Sequence, residues 1–160
     1  MHGHRTKAGA ALRFIDDGSV VTREAFDAEV EIDGRPVRGD AMLSFRSDGR
    51  LGAFTLAREL SIGDLVLPAG SKLHFFDGIG SVLPAHWTCW LGAPLALPET
   101  TLAEGESCEL APDLSRLVGI SPFRDLVLPQ GRVRAGMGPI PVTSVGRVDV
   151  AACRKRRLFA

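Results

Sequence analysis

The segment 86–90, His-Trp-Thr-Cys-Trp, has the most unusual local composition in the chain and holds its clearest candidates for chemistry. On a β-strand successive side chains point to opposite faces, so His86 and Trp90 would lie on one face and Trp87 and Cys89 on the other. Exposed tryptophans would form a binding surface, because large rigid rings dominate interface energetics. Buried tryptophans would instead fill a core whose other large rings are phenylalanines. The sequence leaves both interpretations open.

Metal binding has little support in the sequence. A zinc site needs four converging nitrogen or sulfur ligands. The chain has no Cys-x-x-Cys pair, so the ligands would have to come from distant positions: His74, His86, Cys89 and Cys108. Because residues 86 and 89 would point to opposite faces of one strand, we predict no metal site and no cofactor.

Catalytic motifs are equally scarce. The chain has no Gly-x-Ser-x-Gly nucleophile elbow. The carboxylates of Glu104 and Glu106 could pair with Asp113 for acid–base work, because neighbouring carboxyl groups push their pKa values apart. The composition of this stretch favours an acidic, solvated loop, and we predict no catalytic residue.

Charge is distributed unevenly along a chain whose formal net charge is zero. No Lys or Arg occurs between residues 73 and 115, whereas nine basic residues follow from residue 116 onward. Four of them form a cluster near the C-terminus, which can be a frayed solvated tail, a docking peptide for another protein or a nucleic-acid contact. The candidate partner-binding residues are therefore Trp87, Trp90, Arg154, Lys155, Arg156 and Arg157.

Composition indicates a globular protein of a reducing compartment. Of the 160 residues, 45% are hydrophobic and 24% charged, close to the average for a folded domain. The three cysteines are odd in number and widely spaced, unlike a disulfide scaffold. The apolar stretch 8–12 is too short for a signal-peptide core, and no apolar run approaches a membrane span. Sixteen Arg against three Lys, with no Asn or Tyr, indicate a GC-rich bacterial genome. We expect a cytoplasmic protein without membrane contact.

Internal repetition is the most informative feature. A Leu-x-Phe motif followed by an Asp-Gly turn begins at Leu12, Leu43 and Leu73. A second motif, Asp-Leu-Val-Leu-Pro-x-Gly, occupies 64–70 and 125–131. Asp-Gly between alternating apolar residues is a strong hairpin signal, because Gly tolerates the positive φ of such turns.

These patterns predict an all-β fold of antiparallel β-hairpin repeats of about 30 residues, forming an extended sheet, a flattened solenoid or an open barrel. The two Leu-Val-Leu elements should occupy equivalent positions, with their leucines mostly buried: Leu65, Leu67, Leu126 and Leu128. The repeat weakens after about residue 90, which predicts an irregular middle. We expect a flexible N-terminus at 1–10, a single repeat domain at 11–150 and a basic C-terminal tail at 151–160.

The segment 43–75 resembles repeat units of uncharacterised bacterial proteins, in which a strand and Gly turn precede a Leu-Ala-Arg strand and an apolar hairpin closed by Ala-Gly. The resemblance covers residues 10–90 and extends, more distantly, to the hairpins of MORN repeats. It implies the fold and carries no catalytic residue onto this chain.

Repeated hairpins build long surfaces more readily than closed pockets. The sequence therefore favours a non-enzymatic protein-binding or scaffold module within a larger bacterial complex, whose partner is another protein or a second copy. The main alternative is a small enzyme or ligand-binding β-barrel with its site in 86–113. A third is an accessory module whose basic tail contacts nucleic acid.

Overall fold

Nine strands form one antiparallel sheet in the computed structural model, which describes residues 6, 8, 10–23, 26, 28–78, 84–136 and 138–159. We call this the main sheet. Its strands, in the order in which they lie side by side, are β1 (Ala11–Phe14), β2 (Val20–Arg23), β5 (Met42–Phe45), β6 (Leu51–Thr55), β9 (Lys72–Phe76), β10 (His86–Trp90), β13 (Ser107–Leu110), β14 (Leu117–Ser121) and β17 (Ile140–Pro141).

Four small hairpins lie outside the main sheet, and each follows a pair of main-sheet strands along the chain. They are β3 (Val30–Ile32) with β4 (Arg35–Val37), β7 (Leu60–Ile62) with β8 (Leu65–Leu67), β11 (Leu95–Leu97) with β12 (Thr100–Leu102), and β15 (Leu126–Leu128) with β16 (Gly131–Val133). A short helix, α1 (Val150–Lys155), follows β17. Strands make up 46% of the described residues and helix 4%, and the sheet that these strands form does not close into a barrel. The predicted all-β hairpin fold is confirmed.

Each repeat unit consists of two main-sheet strands and one small hairpin. The first strands of the units begin at residues 11, 42, 72 and 107, so the repeat continues through the stretch that the sequence marked as irregular. In the fourth unit Cys108 and Leu110 take the places of Leu73 and Phe75, since both pairs stand opposite the same two residues of β10. The predicted irregular middle is wrong, because burial at these positions requires an apolar side chain but not a particular one.

The turn between the two main-sheet strands differs in the fourth unit, which therefore lacks the Asp-Gly signal. In the first two units, an Asp side chain accepts the N–H of the residue two positions further on, and the Gly between them has a positive φ, as at Asp48 and Gly49. In the fourth unit Asp113 makes the same bond to Ser115, but Leu114 occupies the glycine position with a φ of 59°. The left-handed region is costly for residues with a side chain. Leu114 is nevertheless buried in the core, so packing offsets the backbone cost.

The two Leu-Val-Leu elements do not occupy equivalent positions. Residues 65–67 form the second strand of a small hairpin, β8, whereas 126–128 form the first strand of another, β15. That part of the prediction is wrong, because an alternating apolar strand fits either arm of a hairpin. The burial prediction is confirmed: Leu67, Leu126 and Leu128 are buried, and Leu65 is half-buried.

One hydrophobic core lies between the main sheet and the small hairpins. It contains alternate residues of the main sheet, such as Leu43, Phe54 and Ile120, together with hairpin residues such as Ile32 and Leu102. We call this side of the main sheet the inner face and the opposite, solvent side the outer face. The hairpins thus act as a second layer that covers the inner face.

The C-terminal segment closes one end of the row of repeat units, which we call the array. Between the first and second units, Val37 forms a β-bridge with Leu56, and the N–H of Arg38 donates to the carbonyl oxygen of the residue before Leu56 at 2.8 Å. At the C-terminal end Val133 bridges Phe159, and the N–H of Arg134 donates to the oxygen of the residue before Phe159 at 2.8 Å. Residues 158–159 therefore bond to the last hairpin as a following unit would.

Candidate functional site

Trp87 belongs to the core rather than to a binding surface. Its side chain is 4% exposed, and its ring packs edge-on against Phe54 and Phe75, with centroids 5.5 and 5.1 Å away. The indole N–H donates to the carbonyl oxygen of Pro112 at 3.0 Å. The single hydrogen-bond donor of the indole and the faces of its ring are therefore occupied inside the protein, and Trp87 is not accessible to a partner.

Trp90 lies on the outer face and is 40% exposed. It stands beside Lys72 on the neighbouring strand, at the border of a concavity of about 820 Å³ on the outer face. Arg23, Met42 and His74 also line this concavity. Of the described residues in the segment 86–113, Trp90 alone lines it, so the concavity is not the site that the barrel alternative predicts.

His86 and Cys89 point to opposite faces, as the strand period predicts. The thiol of Cys89 is fully buried on the inner face beside Cys108, and their hydrogen bond together with burial raises the pKa of Cys108 well above its usual value. His86 lies on the outer face with its Nε2 4.0 Å from Oε1 of Glu109, and its Nδ1 lies 2.9 Å from the oxygen of Pro84. Partial burial raises the pKa of Glu109. His86 and Glu109 therefore lie close together on the outer face, whereas the thiol of Cys89 lies on the opposite face of the sheet.

The acidic stretch 99–113 is mainly structural. The carboxylate of Glu106 is buried and accepts the backbone N–H groups of Ala103, at 2.6 Å, and of Phe123. Glu99 accepts the N–H of Val148 at 3.0 Å. The acid–base grouping of Glu104, Glu106 and Asp113 does not form, because Glu106 is committed to its own loop and Asp113 to its turn. The expected exposure in solvent is found for Glu104 and Asp113 but not for Glu106, which is buried.

The basic cluster is exposed but stands on an ordered segment. Arg154, Lys155, Arg156 and Arg157 are all exposed, whereas Cys153 and Leu158 on either side are 0% and 3% exposed. The carboxylate of Asp149 caps helix α1 by accepting the N–H of Ala152 at 2.9 Å. A frayed tail, one of the three interpretations of this charge cluster, does not describe the segment, because Cys153 and Leu158 belong to the core.

The sequence did not single out β1 as a site, yet it is the most exposed strand of the main sheet. All four of its residues are exposed. Leu12 and Phe14 are 37% and 73% exposed, and Ile15 just beyond the strand is 44% exposed. The Leu-x-Phe motif that is buried in β5 is thus uncovered in β1. Among the strands that the structure describes, β1 is at the end of the main sheet, so no second strand flanks this copy of the motif.

In the part of the chain that the structure describes, no strand pairs with the backbone of β1 on the side away from β2. The N–H of Ile15 donates to the oxygen of Ser19 at 2.9 Å, and hydrogen-bonded pairs alternate along an antiparallel ladder. Arg13 and Val21 are therefore the next bonded pair, and the backbone groups of Leu12 and Phe14 point away from β2. An edge with free N–H and C=O groups is a template for another strand. We call β1 and Ile15 the open edge.

Within the described residues, no group of three or more His, Cys, Asp or Glu side chains could hold a metal ion. No helix in the described part of the chain is long and apolar enough to cross a membrane. No family model matches the chain, and no curated protein or solved structure does so either. The resemblance to bacterial hairpin repeats therefore stays a prediction.

Proposed function

We propose that this protein is a non-enzymatic binding module that joins a partner protein through its open edge. The observation that carries the proposal is the difference between the two ends of the array. The C-terminal end is closed by residues 158–159, while Leu12 and Phe14 remain exposed at the other end. Partners add a strand to such an edge through main-chain hydrogen bonds, with alternate side chains providing specificity.

The apolar character of the open edge supports a protein partner. Natural sheets blunt free edges with charged residues, Pro or bulges, because bare edges aggregate. The open edge has one charged residue, Arg13, on the outer face, while its inner face presents only Leu12 and Phe14. Uncovered apolar side chains next to unpaired backbone groups suit a strand whose own apolar side chains extend the core.

The positions of the groups that could do chemistry support contact rather than catalysis. Cys89 is sealed in the core, away from His86, and Glu106 has two backbone donors within its own neighbourhood. A nucleophile must lie within hydrogen-bond reach of its base. These groups instead stabilise the units that carry the open edge.

Photo-cross-linking in the native host tests this function. A photoreactive benzoylphenylalanine replaces Phe14 in one variant and Phe123 in the control, because the two side chains are 73% and 74% exposed. We expect a covalent adduct with a protein from position 14 and none from position 123. Adding Leu12→Pro to the first variant should abolish the adduct, because it removes an outward N–H without touching the bonds to β2.

Adducts of equal yield at both positions would show non-specific contact and overturn the proposal. The absence of an adduct at position 14, with the variant folded by circular dichroism, would overturn it as well.

A further inference from the structure

The open edge has a sequence that can pair with itself. The C-terminal end of the main sheet is closed, because Val142 bridges Val148 and the N–H of Asp149 donates to the oxygen of Pro141. Among the described strands of the main sheet, β1 thus offers the free ladder. Two copies that meet through the same edge must be related by a two-fold axis, in an isologous contact.

Residues directly opposite each other in an antiparallel pair point to the same face of the sheet, which restricts the registers that two copies of β1 can adopt. A two-fold axis perpendicular to the sheet must then pass midway between two copies of the same residue, which we call the residue on the axis. The two central residues of β1 give the longest overlap: Leu12 or Arg13. In the first register Leu12 faces Leu12 of the second copy, and Ala10 faces Phe14. In the second register Arg13 faces Arg13.

The backbone and the charges favour the first register. The free backbone groups belong to Leu12 and Phe14, so Leu12 on the axis forms a bonded pair with its copy, and Ala10 bonds Phe14 on both sides. About six main-chain hydrogen bonds result. In the second register the two Arg13 residues would form a non-bonded pair, whose side chains approach more closely, and like charges directly opposite are destabilising.

The side chains agree with this choice. With Leu12 on the axis, the inner face of the joined sheet gains a continuous apolar row from Ala10, Leu12 and Phe14 of both copies. Arg13 then lies opposite Ala11 on the outer face, where its charge stays in solvent. Ala10 already packs against the core of its own copy, so the apolar row continues the existing core.

We propose that two copies of this chain join their open edges into a continuous sheet, with Leu12 on the two-fold axis. This inference rests on the proposed function and names a second copy as the partner. The assembly is a closed dimer, because each copy has one open edge among its described strands and uses it.

Engineered cysteines in the purified protein test the register. The native thiols of Cys89, Cys108 and Cys153 are buried, so a new exposed cysteine is the reactive one under mild oxidation with oxidised glutathione. Leu12→Cys should give a covalent dimer, because the paired Cα atoms would lie about 5.5 Å apart. Arg13→Cys should not, because its Cα atoms would lie beyond the roughly 7 Å that a disulfide spans. Val127→Cys, on an exposed hairpin, measures collisional cross-linking.

Sedimentation of the unmodified protein over a range of concentrations measures the association itself. We expect a monomer–dimer equilibrium whose dissociation constant rises about tenfold or more in Leu12→Pro. Cross-linking of Arg13→Cys instead of Leu12→Cys would overturn the register. A monomer at all concentrations would overturn the second copy as partner, and a position-14 adduct of another mass in the host would then leave the proposed function standing.

Discussion

Replacing Leu158 by Ala tests whether the C-terminal segment is part of the fold. Leu158 is 3% exposed and sits between two backbone bonds, from its own N–H to the oxygen of Cys153 at 3.0 Å and from the N–H of Arg134 to its oxygen at 2.8 Å. The substitution leaves both bonds possible and removes only buried carbon. Buried Leu→Ala changes cost about 2–5 kcal/mol, and a site next to the chain end can relax. We therefore expect a loss of about 2–3 kcal/mol.

Thermal and urea unfolding at one fixed protein concentration measure this loss. For a chain of this size, 2–3 kcal/mol corresponds to a fall in Tm of about 4–12 °C. Val127→Ala is the matched control, since Val127 is 80% exposed and should change the free energy of unfolding by less than about 0.5 kcal/mol. Equal effects of the two substitutions would show that residues 158–159 do not close the array, and the contrast between its two ends would disappear.

The buried carboxylate of Glu106 and the half-buried carboxylate of Glu109 give further predictions. Glu106→Gln should lower the free energy of unfolding in urea by about 1–3 kcal/mol, because its amide NH₂ would face one of the two N–H groups that donate to the carboxylate. The control Glu104→Gln, at an exposed position, should lower it by less than about 0.5 kcal/mol. Similar losses in the two variants would refute the structural role of Glu106. Because its pKa is raised, the carboxyl group of Glu109 binds a proton more tightly in the folded than in the unfolded state. Its contribution to the free energy of unfolding is therefore fully present below about pH 4.5 and is lost as the pH rises through the folded pKa. The stability of Glu109→Gln relative to wild type should therefore improve between pH 4 and pH 7 in urea unfolding, and a pH-independent difference would contradict this.

The strand-and-turn units could be predicted because their signals are local. Alternation over three to five residues decides which side chains share a face, and Asp48-Gly49 bends the chain through its own side-chain bond and positive φ. The same rule placed His86 and Cys89 on opposite faces before any packing was known. These features depend on neighbours in the sequence, so the sequence alone was enough.

Packing decided the features that the sequence left open. Strand period places Trp87 and Trp90 on opposite faces, but only the cover of small hairpins makes one face the interior and buries Trp87. Burial also allows Leu114 to occupy a turn position where earlier turns have Gly, so the fourth unit lacks the Asp-Gly motif in its sequence. The replacement of Gly by Leu at this position depends on contacts with residues that are distant in the sequence.

The candidate site shows the division most clearly. The sequence by itself determined that Leu12-x-Phe14 is a strand with one apolar face, equal in pattern to its buried copy that begins at Leu43. Only the tertiary structure decided that no described strand lies beside the first copy on its open side, whereas the basic C-terminal segment supplies Leu158 to close the other end. The physical reason is that an apolar pattern specifies what a strand can bury, while the position of its unit in the array decides what is there to bury it.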